Sequence, residues 1–442
     1  MSYKTICILL KEKDKVLFNY CEENCKLAKL FKNAVIFRCR QLITAKNKNY
    51  QNLTENELNV LAEFKLTEDR YKSIGNKYFL PNYYHFQYMF TKTNNVDYYN
   101  NLPMQTSQQI IKECLADFKS FFKAIKDYSK HPEKYTGKPK FPGYIKKDKT
   151  SFDITNQDAV FKFEENKLKL PKTKEKLLIG KADVGKLKEV TIKPFYDTYK
   201  ICIVTEVEDI PAVLDKNRVL GIDLGLKNIV STSNNCGLTP FVINGNDLKS
   251  FNQWFNKKNA ELHSQLPKKQ YSSKKLEKLY LYRHNRTTDF YNKLASYIVN
   301  YCVQNNIGTI VIGKNEQWKN EINMGNQNNQ HFCFISHSFI IKKIEELAIK
   351  AGIVVLQTEE SYTSKASFLD GDVIPVFKKS SNAKYSFSGK RIHRGLYKTK
   401  EGIVLNADVN GASNIIKKAI STAFDKVTDL SYLYKTTIRV NL

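Results

Sequence analysis

Val219-Leu220-Gly221-Ile222-Asp223-Leu224-Gly225, running on into Lys227-Asn228-Ile229-Val230, decides how this chain is read. An apolar run of this length with branched residues is a buried strand, and the glycines allow close packing and a turn into a second strand. Asp223 stands where that pattern prefers an apolar side chain. The matching anomaly is Asn406-Ala407-Asp408-Val409-Asn410-Gly411-Ala412-Ser413-Asn414-Ile415. There Val409, Ala412, Ile415, Ile416 and Ala419 recur at helical spacing, so Asp408 opens a helix near the positive end of its dipole.

A strand aspartate paired with a helix-start aspartate is the arrangement by which ribonuclease-H-type nucleases hold two Mg²⁺ ions. The same Gly-Ile-Asp-Leu-Gly also begins sugar-kinase and actin-like ATPases, and a lone strand aspartate is often an ordinary turn residue. An ATPase of that class needs a second Gly-rich phosphate loop, which the chain lacks, as it lacks a G-x-x-x-x-G-K-[ST] sequence. A nuclease needs carboxylates and a basic surface.

The basic surface is written into the composition. Lys and Arg number 71 against 44 Asp and Glu, a formal charge of +27 over 442 residues, which points to a polyanionic partner. Only nine of the 71 are Arg, and codon bias in an AT-rich genome accounts for part of the Lys excess. The arginines are therefore more telling. Six fall in close pairs, Arg38/Arg40, Arg283/Arg286 and Arg391/Arg394, and planar guanidinium suits bidentate phosphate binding. The plain alternative for any one pair is a solvated helix face.

The length allows two or three domains. No apolar run reaches membrane-spanning length and the N-terminus lacks a signal-peptide pattern, so a cytoplasmic location is expected. Nine cysteines are scattered without a C-x-x-C pair, which argues against a zinc ribbon, and none is expected to form a structural disulfide. Cys21 and Cys25 read as packing residues.

Along the chain, Thr5 to Leu10 reads as a strand. Residues 13–136 read as a helical lobe, from the stripes Leu27, Leu30, Phe31, Ala34, Val35 and Ile110, Ile111, Cys114, Leu115, Phe118, Phe121, Phe122, Ile125. The basic, Pro-interrupted stretch 137–147 places Lys138, Lys140, Phe141, Tyr144 and Lys146 together. This mixture can hold phosphate and stack on bases, or can be a plain linker. Alternating segments at 160–170 and 189–206 read as hairpins, which a small β-barrel completed by the N-terminal strand would unite. From residue 216 strands alternate with helices, which implies a largely parallel sheet covered on both faces. A helical insertion spans about 245–302. Residues 361–405, holding Lys390, Arg391 and Arg394, resemble neither strand nor helix and form a candidate nucleic-acid loop.

With these pieces placed, the chain resembles the TnpB family, the transposon-encoded RNA-guided nucleases related to type V CRISPR effectors. The resemblance rests on G-I-D-L-G-L-K-N at 221–228, I-V-I-G-K-N at 310–315, E-E-S-Y-T-S-K at 359–365 and N-A-D-V-N-G-A-S-N-I at 406–415. The K-P-K-F-P-G-Y loop at 138–144 and the strand Tyr199 to Thr205 add to it. It implies a multidomain α+β protein: a wedge β-barrel (1–12 and 137–215) with an inserted helical recognition lobe (13–136), then an α/β RuvC nuclease domain of ribonuclease-H type (216–442). It also implies a guide RNA, a double-stranded DNA target beside a short duplex motif, and Mg²⁺-dependent hydrolysis of that DNA.

Two departures matter. Family members carry a glutamate where this chain has Gly313, and two cysteine pairs where residues 364–406 have none, so no zinc is expected. Two carboxylates hold two ions poorly. In a ribonuclease-H sheet the strand beginning at Thr309 lies beside the Asp223 strand and the one beginning at Ile353 lies next outward. A glutamate ending that outer strand can then reach the place left at Gly313. Glu360 is the favoured third ligand and Glu359 the alternate, with Glu316 and Glu321 weaker candidates and a solvated strand end the plain alternative. Two rival functions remain at this stage: a nuclease-inactive RNA-guided DNA-binding repressor, and a transposase that joins DNA itself.

Overall fold

The computed structural model describes the chain except residues 1, 11–12, 47, 72–79, 163–164, 180–184, 209–210, 315–334, 377–384 and 394. Two compact units divide at Glu208/Asp209. No helix among the described residues is long and apolar enough to cross a membrane.

The first unit is built on helix α1 (Lys15–Lys46), with α2 (Glu55–Lys65), α3 (Tyr83–Lys92) and α4 (Met104–Tyr128). Their apolar stripes meet in one core with Phe31, Phe64, Phe86, Phe90 and Phe118 at its centre, and Cys21 and Cys25 are buried in it as packing residues. Each such side chain contributes roughly 1.5–3 kcal/mol by leaving water. α2 starts in a capping box in which Thr54 and Glu57 satisfy each other's backbone donors.

Strand β1 (Ser2–Leu9) joins β2 (Phe152–Thr155), β6 (Lys186–Phe195) and β7 (Thr198–Val207) in an antiparallel sheet ordered β1-β7-β6-β2. The expected hairpin across Asp197 is present, with Phe195 opposite Thr198. β3 (Val160–Lys162), β4 (Lys167–Lys169) and β5 (Lys176–Leu178) pair only with one another in a separate small sheet. The barrel expectation is corrected accordingly. Among the described residues no closed barrel forms, because these short hairpins satisfy their hydrogen bonds locally and leave β1 and β2 as sheet edges.

The second unit contains β8 (Asp215–Leu224), β9 (Asn228–Asn234), β10 (Phe241–Asn244), α5 (Asn246–Ser264), α6 (Lys274–Gln304), β11 (Ile307–Lys314), α7 (His337–Lys350) and β12 (Val354–Glu359). β13 (Lys390–His393), β14 (Leu396–Lys398), β15 (Val404–Asn406), α8 (Ala407–Ala419) and β16 (Ile438–Val440) follow. The main sheet runs β12-β11-β8-β9-β10-β16. It is largely parallel, as expected, with one reversal: β12, β11, β8, β10 and β16 run the same way, and the short Gly225–Lys227 turn forces β9 back antiparallel between β8 and β10. The stretch at 390–406, expected to be irregular, forms the three-stranded sheet β13-β14-β15.

Side-chain alternation divides the two faces of the main sheet. Leu220, Ile222, Ile310 and Ile312 pack with residues of α6 and α7. Val219 and Val311 pack on the other face against Ile415 and Ile416 of α8. Asp223 and Gly313 share the parity of this second pair and so belong to the α8 face.

Candidate active site

β8 and β11 are in register with Ile222 opposite Ile312, and β12 follows with Thr358 opposite Gly313. The neighbour order expected for a relocated glutamate is therefore the observed one. α8 comes very close to β8: a Cβ on Gly221 would stand 2.6 Å from the Ala412 carbonyl oxygen and 2.5 Å from Ile416 Cγ1. A glycine at 221 is what lets helix and strand touch. On the facing surface of α8, a Cβ on Gly411 would stand 2.7 Å from Asp223 Oδ2, so the aspartate uses the space the helix leaves open.

Glu360 fills the corresponding space at Gly313. Its Oε2 lies 3.0 Å from the ideal Cβ position there, beside Ile415. Asp223 lies within electrostatic range of both Glu360 and Asp408. Burial foremost, then the charges of Glu360 and Asp408, push Asp223 up to about 8, against a smaller opposing pull from Arg391. Asp408 follows the cap residue Asn406, whose Oδ1 accepts from the Asp408 and Val409 amides. Its own carboxylate accepts from Asn228 Nδ2 at 3.0 Å and from Arg391 Nη2 at 3.2 Å.

Glu359 is turned to a different task. Its carboxylate accepts from Lys418 Nζ of α8 and from the Ser361 amide. Burial works to raise its pKa, but these hydrogen bonds outweigh it and hold Glu359 below the usual carboxylate value. The two neighbouring glutamates thus divide: Glu360 goes to the Asp223 cluster and Glu359 to Lys418.

Several residues that sequence patterning passed over shape this site. Asn414 Nδ2 donates to the carbonyls of Thr363 and Ala366, and Asn410 both donates to Ala366 and accepts from the Phe368 amide. Together they stitch the turn that follows Glu360 onto α8. Within that turn Thr363 Oγ1 donates to the Glu360 carbonyl at 2.8 Å. Their signal was the polar i, i+4 spacing of Asn410 and Asn414 on an otherwise apolar helix face.

The donors fit a hard divalent cation, since all three charged groups are carboxylates and such ions take oxygen ligands. The crowding that favours a protonated Asp223 is also what a cation would relieve. Among the described residues, however, no three His, Cys, Asp or Glu side chains converge as a finished ligand set, and Asp408 is turned toward Arg391 and Asn228.

The basic residues scatter. Arg38 is buried in an ion pair with Glu63, at 2.7 Å through both Nε and Nη2, and its guanidinium lies over Phe90. That corrects its expected phosphate role, because Nε, Nη1 and Nη2 all donate to acceptors of the protein itself. Arg40 donates to the Pro142 carbonyl and lies over Phe141 and Tyr144, fastening the 137–147 loop to α1. Phe141 packs edge-on against Phe118 and Phe121, so it is a packing residue and not an open stacking face. Lys138, Lys140, Tyr144 and Lys146 are exposed along that loop. Lys390 is exposed on β13, Arg283 is turned to Asn252 and Phe255, and Arg286 is exposed. Arg394, Glu316 and Glu321 lie outside the described residues.

The OrfB/IS605 family model, described as "Probable transposase", matches residues 202–319. No curated protein sequence matches. Among solved structures, a Cas12f1–sgRNA–target DNA complex is similar at 14% identity and TM-score 0.46, over 94% of this chain and 98% of that one. The mini-RNA-guided endonuclease CRISPR-Cas_phi3 is similar at 11% identity and TM-score 0.47, over 95% of this chain and 92% of that one. A CRISPR-Cas12f ternary complex is similar at 16% identity and TM-score 0.34, over 86% of this chain and 81% of that one.

Proposed function

The chain is TnpB-like, with its family match over residues 202–319, and from that premise we propose that it is an RNA-guided DNA endonuclease with a RuvC-type site. The observation that carries this reading is that Glu360, just past β12, and Asp408, at the start of α8, both act on the buried Asp223 of β8. The strand order of the main sheet with β9 reversed would suit a ribonuclease-H-like domain, and the +27 charge suits RNA and DNA as partners.

Asp223, Glu360 and Asp408 would hold two Mg²⁺ ions. Bound there, the ions would lower the pKa of an attacking water and neutralise charge on the phosphodiester. The chain's own residues do the rest. Asn228 orients the Asp408 carboxylate, the α8 asparagines fix the turn that carries Glu360, and Arg391 places a cation beside Asp408 where phosphate charge would arrive. Base pairing to a guide RNA would select the target, leaving duplex-motif reading and cleavage to the protein.

The test is Mg²⁺-dependent cutting of a guide-matched plasmid by the complex purified with its co-purifying RNA. Cutting that disappears with RNA removal or with Asp223→Asn supports the reading. Intact binding without cutting would instead favour a nuclease-inactive repressor, and strand joining without RNA would favour a transposase.

A further inference from the structure

Helices α5 and α6 carry an open pocket of about 330 Å³ lined by Ser250, Phe251, Trp254, Tyr282 and Arg286. It belongs to none of the carboxylate chemistry described above. Large aromatic side chains left in water are unfavourable unless something covers them. Here Trp254 and Tyr282 are each 48% exposed. Their rings meet edge to face at 5.9 Å, while Trp254 and Phe251 lie nearly parallel with centroids 5.6 Å apart.

Arg286 decides what kind of occupant fits. Its guanidinium lies 4.6 Å over the Phe251 ring and donates to the Tyr282 hydroxyl at 3.5 Å. Among the described residues it pairs with no carboxylate, and the nearby Asp289 is engaged by Lys293 at 2.8 Å. The other arginine of the pair, Arg283, is turned toward Asn252 and Phe255. An apolar peptide docking here would have to bury the Arg286 charge. A phosphate alone would leave two ring faces wet. A nucleobase satisfies both features, since it stacks on an indole or phenol face while the guanidinium reaches its edge acceptors or the adjoining phosphate.

We infer that this pocket captures one unstacked base of a single-stranded nucleic acid. The inference rests on the reading of the chain as a nucleic-acid protein but not on its cleaving anything. Stacking on an aromatic is sequence-tolerant, so the pocket would accept any base and would hold a strand's position more than read it. RNA and DNA strands present the same ring, and separate probes distinguish them.

The experiment uses the full-length protein and three probes of equal length: oligouridylate, oligothymidylate and an abasic deoxyribose-phosphate strand. Affinities are measured for the parent, Trp254→Ala, Tyr282→Ala and Trp254→Phe. Loss of one stack is expected to weaken a base-bearing probe by about tenfold, with Trp254→Phe retaining most of the affinity and the abasic strand bound equally by all variants. Whichever of the two base-bearing probes shows the loss identifies the strand as RNA or DNA. Unchanged affinity for both, equal loss on the abasic strand, or a change in oligomeric state with unchanged affinity would each overturn the inference. Plasmid cutting is followed in parallel, so that failure of base capture with cutting intact is distinguishable from failure of the nuclease reading.

Discussion

Oε2 of Glu360 lies 3.0 Å from the point where a Cβ on Gly313 would be, so a side chain from the end of one strand occupies the place left empty on its neighbour. Glu360→Gln is therefore expected to lower Mg²⁺-dependent cutting at least about 100-fold, more than the loss of an outer-shell partner usually costs. Glu359→Gln is expected to keep most of the cutting while lowering the thermal midpoint, because Lys418 then loses its carboxylate partner and keeps only the carbonyls of Ser361 and Pro375. Rates and melting curves on both variants check this. Equal loss of cutting in the two would remove the distinction between them.

Gly411→Ala separates fold from chemistry. Alanine is the better helix former by ~1 kcal/mol, but its methyl would stand 2.7 Å from Asp223 Oδ2 and push that carboxylate aside. The expected result is an intact fold by circular dichroism with cutting strongly reduced. Undiminished cutting would mean that the Asp223 position is not critical.

Asn414→Ala removes the donor to two buried carbonyls, Thr363 and Ala366. The Ala366 carbonyl keeps Asn410 as a donor, but leaving the Thr363 carbonyl unsatisfied costs roughly 1–3 kcal/mol, to be read as a lower urea midpoint. Cutting at saturating Mg²⁺ and nucleic acid should also fall, since the turn bearing Glu360 loosens. A stability loss with unchanged cutting would confine Asn414 to a packing role.

Arg38→Met tests the corrected assignment of an expected phosphate contact. Breaking its ion pair with Glu63 should cost ~3 kcal/mol, with the salt dependence of nucleic-acid binding unchanged. A shallower salt dependence would restore Arg38 as a phosphate contact.

The first unit should lose stability as pH rises. Burial, then a hydrogen bond with Asp153, raise Glu113 to about 7 despite the opposing Lys32, and burial and Asp153 raise Glu189 to about 7 as well. A carboxyl whose folded-state pKa lies above its unfolded value near 4.5 stabilises fully below that value and loses the contribution as pH climbs through about 7. Melting midpoints measured between pH 5 and 8 should therefore fall with rising pH, and Glu113→Gln should flatten the trend.

Much of the candidate site was legible in the chain itself. An aspartate ending an apolar strand, another opening an amphipathic helix, and Glu359-Glu360 ending a third element are local patterns, and the register bringing them together follows from sheet neighbours only 4.8 Å apart. Other features depend on distant partners. Arg38 and Arg40 look alike in sequence, yet one is held by Glu63 and the other by the 137–147 loop. The reversal of β9, by contrast, is local, since the turn expected after Gly225 leaves antiparallel pairing with β8 as the ready solution.

By itself, then, the sequence determined the two aspartates, the basic character and the apolar faces that force a sheet to be covered, since these depend on residue type and spacing. Which of two adjacent glutamates joins Asp223, and which is spent on Lys418, was decided only in three dimensions. The choice depends on the space at Gly313 and on a lysine 59 residues away from Glu359 in the chain, and neither can be read from the local pattern.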